Sequence, residues 1–135
     1  MKSTASGSVS IEGRITEGLR ESSSFTQLPW VRKQFIVKLG IDPYPGTLNL
    51  DVVNTEDMKK VREIKRKKGI EIIPNEPGFC SAKCFHVLVC GKIEGALIIP
   101  QVPNYPESKL EIISSCKIRD FLSLEVGDPV PVEIL

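Results

Sequence analysis

Apolar and polar residues alternate in Val9–Ile15 (VSIEGRI) and again in Thr47–Val53 (TLNLDVV). A period of two is that of a strand with one buried face. In the second stretch Leu48, Leu50 and Val52 point one way, and Thr47, Asn49 and Asp51 the other. Between the two stretches the period lengthens. Leu28–Leu39 (LPWVRKQFIVKL) sets Trp30, Val31, Gln34, Phe35 and Leu39 on one helical stripe, with Pro29 in the first turn and Gly40 to end it. The small, polar run Gly18–Ser24 predicts a loop, and Ile41–Gly46 (IDPYPG) a turn stiffened by its prolines.

The second half continues in short pieces. Thr55 is placed to cap a helix starting near Glu56. Ile70–Pro74 reads as a short strand and Asn75–Gly78 as a turn. Cys84–Val89 and Ala96–Ile99 read as strands joined through Gly91-Lys92. Leu110–Ile113 is a further strand, Ile118–Leu122 a single helical turn, and Val130–Leu135 a final strand. Six or seven short strands, one or two helices and few crossover segments predict a mainly β barrel, not a doubly wound sheet. Residues 9–135 are expected to form one domain behind a disordered tail, residues 1–8.

Composition narrows the class. The chain is 41% hydrophobic and 26% charged, but only 6% aromatic, so Val, Ile and Leu must fill the core. Eighteen basic and seventeen acidic residues leave a net charge of +1. That balance gives no reason to expect nucleic acid or a membrane surface as partner. The basic run Lys59, Lys60, Arg62, Lys65, Arg66, Lys67 and Lys68 reads as a solvated helix face, or as a patch that steers a polyphosphate. Without an apolar span or a leader-like h-region, a cytoplasmic protein is expected, monomeric or weakly associating. Cys80, Cys84, Cys90 and Cys116 lack the paired spacing of a zinc site and read as buried or half-buried thiols. His86 is the lone histidine, so histidine-dependent nucleophilic chemistry would have to use it.

The most informative stretch is Leu39–Leu50 (LGIDPYPGTLNL). Its rigid loop delivers Thr47 and Asn49 to one face of a strand. A hydroxyl and an amide oxygen two residues apart are hard ligands suited to Mg²⁺ carrying nucleotide phosphates. The same pair is also common on any solvent-facing strand.

PYPGTLNL resembles the signature of the archaeal CTP-dependent riboflavin kinase family. The order of further blocks is similar too: Gly78-Phe79 with Lys83-Cys84, then EGALIIP (Glu94–Pro100), LEII (Leu110–Ile113) and the K-I-R-x-x-L-x-L-x-x-G-D pattern of Lys117–Asp128. The resemblance implies a six-stranded cradle-loop barrel with one or two short helices. It implies transfer of the γ-phosphate of CTP, in preference to ATP, to the 5′-hydroxyl of riboflavin, giving FMN. Thr47 and Asn49 then match the Mg²⁺ positions. Gly13, Gly18, Leu19, Arg20, Ser22, Ser23, Ser24, Pro45, Gly46 and Thr47 match the nucleotide site. Asn104, Tyr105 and Glu111 match the flavin site, with Glu111 also the carboxylate that accepts the hydroxyl proton. Arg119 is a catalytic candidate that would steady the transferring group.

One block departs from the family pattern. Where G-L-G-x-G-x-x-F is usual, this chain has Gly18-Leu19-Arg20-Glu21-Ser22-Ser23-Ser24-Phe25. An alternative reading is therefore a relative that binds flavin or nucleotide without transferring phosphate. A third, a barrel acting on nucleic acid or a protein partner, has only the basic run behind it.

Overall fold

The computed structural model describes residues 9–17 and 25–135. The predicted tail and the residues Gly18, Leu19, Arg20, Ser22, Ser23 and Ser24 lie outside the described residues. The described residues form seven strands: β1 (Val9–Ile15), β2 (Leu48–Asp51), β3 (Ile70–Ile72), β4 (Ala82–Val89), β5 (Ile93–Pro100), β6 (Lys109–Ile113) and β7 (Pro129–Ile134). The helices are α1 (Pro29–Gln34), which continues as a π-helical turn over Phe35–Leu39, α2 (Thr55–Arg66) and α3 (Ile118–Phe121).

Six strands close on themselves in the order β4-β5-β6-β2-β1-β7, all antiparallel. Closure comes from the last half of β4, where Val87 faces Ile134 and Val89 faces Val132. The first half of that same β4 edge carries β3 instead, with Ile70 opposite Cys84 and Ile72 opposite Ala82. Seven strands therefore make a closed six-stranded barrel with one appended strand. An unpaired outer edge on β3 would invite pairing with another chain. Here it is blunted. Gln34 donates to the Ile73 carbonyl at 2.8 Å and accepts from the Ile73 N–H at 2.8 Å, and the Lys38 ammonium donates to the Glu71 carbonyl at 2.7 Å.

The strand alternation sorts two hydrophobic clusters. Inward residues (Ile11, Ile15, Leu48, Leu50, Leu97, Ile99, Leu110, Ile112, Val130 and Val132 among them) fill the barrel. Outward residues Cys84, Ala96, Ile98 and Ile113 are buried too, beneath Val31, Phe35 and Leu39 of α1 and its π-helical extension. That second layer explains why β5 reads as a continuous apolar run, since it is covered on both faces for much of its length. Phe35 is fully buried at the centre of this cover, and its loss to alanine would cost about 3–5 kcal/mol. Gly95 is required by space: a Cβ there would lie 2.5 Å from the Ile113 carbonyl oxygen.

Two local expectations are corrected. The helix expected to be capped by Thr55 is capped by Asn54, whose side-chain oxygen accepts from the N–H groups of Glu56 and Asp57. Asn is as good a cap as Thr, and taking it lets the helix begin one residue earlier. Cys80 is exposed, not buried or half-buried. Cys84 fits the expectation, and burial pushes its thiol up to about 12.

Candidate active site

The loop before β2 is held from several sides. Arg32 of α1 makes a two-pronged ion pair with Asp42, at 2.7 and 2.9 Å. The hydrogen bond to Asp42 raises the Arg32 guanidinium, and the reciprocal bond holds the Asp42 carboxyl below its ordinary range. Gln27 donates to the Pro43 carbonyl at 3.0 Å, and the Tyr44 N–H donates to the Ser114 carbonyl at 2.8 Å. The Gly46 N–H donates to the Thr26 hydroxyl at 3.3 Å, with Gly46 at φ +107°, where side chains are rarely tolerated. The loop is thereby fixed where it hands over to Thr47.

From Thr47 onward, alternation decides the site. Leu48 and Leu50 enter the barrel, so Thr47 and Asn49 take the outer parity. On the adjacent β6, Leu110 and Ile112 enter and Glu111 is left outside, directly opposite Asn49. The Thr47 hydroxyl donates to Glu111 Oε1 at 3.3 Å. The Asn49 amide nitrogen donates to the Thr47 carbonyl at 3.0 Å and to its hydroxyl at 3.2 Å. The Asn49 residue is only 6% exposed, and its Oδ1 is buried without a hydrogen-bond partner. A buried acceptor left open costs free energy unless something meets it. Asn49 Oδ1, Thr47 Oγ1 and a nearby carboxylate are hard oxygens, the donor set that fits Mg²⁺. Among the described residues no group of three His, Cys, Asp or Glu could hold a metal.

Two cavities meet at this corner, and Thr47 lines both. One, of about 190 Å³, has a mixed lining that includes Thr16, Glu17, Gly46, Thr47, Asn49, Ile112, Lys117 and Arg119. The other, of about 590 Å³, lies on the outer barrel face, bounded by Phe25, Phe79, Ile98, Pro100, Asn104, Tyr105 and Glu111. Phe25, Trp30 and Phe79 form an aromatic group with ring centroids 5.3 to 6.4 Å apart. Lys117 and Arg119 bring positive charge to the smaller cavity, where Arg119 pairs loosely with Glu17 at 3.8 Å.

Comparison with known proteins gives the family. The family model CTP-dep_RFKase, described as "Domain of unknown function DUF120", matches residues 15–134. The chain belongs to this CTP-dependent riboflavin kinase domain family. It is 41% identical over 132 residues to the riboflavin kinase of Archaeoglobus fulgidus, covering 96% of this chain and 56% of that protein. It is 34% identical to the riboflavin kinase of Sulfolobus acidocaldarius over 93% of this chain and 81% of that one. With the riboflavin kinase of Methanobrevibacter smithii it shares 34% identity over 91% of this chain and 98% of that one. The chain thus spans little more than half of the Archaeoglobus protein and almost all of the Methanobrevibacter one.

Of the residues that the family resemblance singled out, Thr47, Asn49 and Glu111 stand together. Pro45, Gly46 and Arg119 border the smaller cavity, and Asn104 and Tyr105 the larger. Gly13 borders neither. It faces the barrel interior, where a Cβ would come within 2.8 Å of Leu50 Cβ, so packing accounts for this glycine. His86 is exposed on β4, away from both cavities. Sequence reasoning passed over Phe79, Cys116 and Lys117. The Gly78-Phe79 and Lys117 blocks were visible in the resemblance, but nothing in the sequence said that they lined cavities.

Among the described residues no helix is long and apolar enough to cross a membrane. In the basic run on and after α2, Lys59 pairs with Glu56, Lys60 with Asp57, and Arg62 with Glu107.

Proposed function

We propose that this chain is a riboflavin kinase that takes its phosphate from CTP and releases FMN and CDP. The observation that carries the reading is the corner where Thr47, Asn49 and Glu111 meet between a smaller cavity bearing Lys117 and Arg119 and a larger aromatic one. The smaller cavity takes the polyphosphate end of the nucleotide, beside Lys117 and Arg119. The larger takes the flavin, with Phe79 and Phe25 offering faces for a planar ring system. Thr47 and Asn49 hold Mg²⁺. When bound, the ion neutralises phosphate charge as it does in phosphoryl transfer generally.

Each residue then has a definite task. The flavin's 5′-hydroxyl oxygen attacks the γ-phosphorus, the bond from that phosphorus to the β-bridging oxygen breaks, and CDP departs. Glu111 accepts the hydroxyl proton, which an alcohol cannot shed unaided near neutrality. Arg119 offers planar donors to the phosphoryl oxygens once it leaves Glu17. The rigid Pro43–Gly46 loop keeps Thr47 in place, so little is left to organise on binding. Residues 9–135 form the unit that does this, as a cytoplasmic domain working on small molecules.

The test is chromatography of the purified chain with riboflavin and Mg²⁺, in parallel with CTP and ATP. FMN is expected with CTP and much less with ATP. FMN with ATP alone would refute the donor assignment. Tight flavin or nucleotide binding without FMN would replace a kinase by a binding protein.

A further inference from the structure

Glu111 is held at both of its oxygens. Thr47 Oγ1 lies 3.3 Å from Oε1, and the Tyr105 hydroxyl donates to Oε2 at 2.5 Å. A donor aimed at a carboxylate makes the shorter and stronger class of hydrogen bond. The tyrosine ring is itself held by two cations. The ammonium of Lys65, from α2, and that of Lys109, from β6, each lie 5.8 Å from the ring centroid, within cation–π range. Lys65 is tied down in turn by a 3.2 Å bond to the Glu107 carbonyl. Burial first, and then the bond to Glu111, push the Tyr105 hydroxyl above its ordinary range, so it stays protonated and donating.

Glu has three side-chain torsions, and a carboxylate on the outer face of a strand samples several rotamers unless it is held. A proton acceptor must sit within hydrogen-bond reach of its proton, and an error of about 1 Å costs roughly 100-fold in rate. We propose that Tyr105 is a positioning residue, a clamp that turns the Glu111 carboxylate toward the Thr47–Asn49 corner where the two cavities meet. The inference rests on Glu111 as the proton acceptor. It assigns Tyr105 a task other than the flavin contact expected from the family resemblance. A flavin contact shows itself in flavin affinity, a clamp in turnover.

The full chain carrying Tyr105→Phe separates the two. Riboflavin affinity is read by quenching of flavin fluorescence, and turnover by FMN formation at saturating substrates. The expected result is a kcat about 10–100-fold lower, the scale of a misplaced catalytic group, with riboflavin Kd within twofold of the parent. An unchanged kcat overturns the proposal, whether Kd rises or not. A second measurement does not depend on turnover. Thermal unfolding of Tyr105→Phe, Glu111→Gln and the double variant forms a mutant cycle. A clamp predicts that the double variant loses no more in Tm than the worse single. Fully additive losses would show that the two side chains do not act together and would overturn it. Should the parent form no FMN, the kinase reading fails while the melting cycle still decides whether Tyr105 holds Glu111.

Discussion

The two cavities that share Thr47 both draw on β6, yet they differ in size and character. The smaller, about 190 Å³, sits among the connections that frame β2 and α3 and mixes hydroxyls and charged groups with Leu48, Ile112 and Ile118. The larger, about 590 Å³, spreads over the outward face of β5 and β6, where Ile98 and Glu111 stand opposite each other. The difference lies in what covers the barrel. Over Ala96 and Ile113 the α1 segment seals the outer face with apolar side chains. Farther along β6 that cover ends, and the segments 78–82 and 100–106 leave space between aromatic and proline side chains. One barrel wall thus becomes core, aromatic pocket and polar corner in turn, according to what lies on it.

The comparison can be broken most severely at the junction. Glu111→Gln is expected to reduce FMN formation about 10²–10⁴-fold, the range for loss of a general base, while both ligands bind within threefold of the parent. Activity within fivefold of the parent would remove Glu111 from the chemistry. Asn49→Ala removes the buried, unpartnered oxygen. Mg²⁺ titrations of activity should then need about 10–100-fold more metal for half-maximal rate, on the scale seen when support for a metal is lost. An unchanged Mg²⁺ requirement would assign that oxygen another purpose.

Smaller effects separate the two sides. Phe79→Ala should raise the riboflavin KM by about 3–10-fold, as expected for loss of one aromatic contact, and leave the CTP KM unchanged. A rise in the CTP KM instead would exchange the ligands between the cavities. Glu17→Gln is the mildest. Its pair with Arg119 is long and its own side chain is 76% exposed, so screening leaves it little strength. Nucleotide KM is expected to fall by about twofold or less, and a larger fall would mean that Glu17 competes directly with phosphate.

Much of this was legible in the residues alone. The alternation in TLNLDVV gave the right parity: Leu48, Leu50 and Val52 are in the barrel core, and Asn49 lies on the opposite side. The stripe through Val31, Phe35 and Leu39 did form a helical cover, though its last turn widened into π geometry before Gly40. Boundaries slipped where two residues competed for one job, as Asn54 and Thr55 did for the cap. What could not be read was anything that depends on elements meeting across the fold. Glu111 and Tyr105 are six residues apart in sequence, yet only the bend of the Pro103–Pro106 segment brings the hydroxyl onto the carboxylate. The sharing of Thr47 between two cavities, the aromatic wall built by Phe79, and the packing reason for Gly13 all arise from contacts between segments distant in sequence. Local periodicity carries no record of them.

The two ligands are expected to meet at one corner from opposite sides. Backbone amide NMR of the labelled chain, titrated separately with CTP plus Mg²⁺ and with riboflavin, tests that most directly. CTP should perturb amides near 16–17, 45–47 and 116–119, riboflavin those near 79–82 and 98–106, and only the neighbourhood of Thr47, Asn49 and Glu111 should respond to both. Perturbation of a single common cavity by both ligands, or no response at that corner to either, would contradict it.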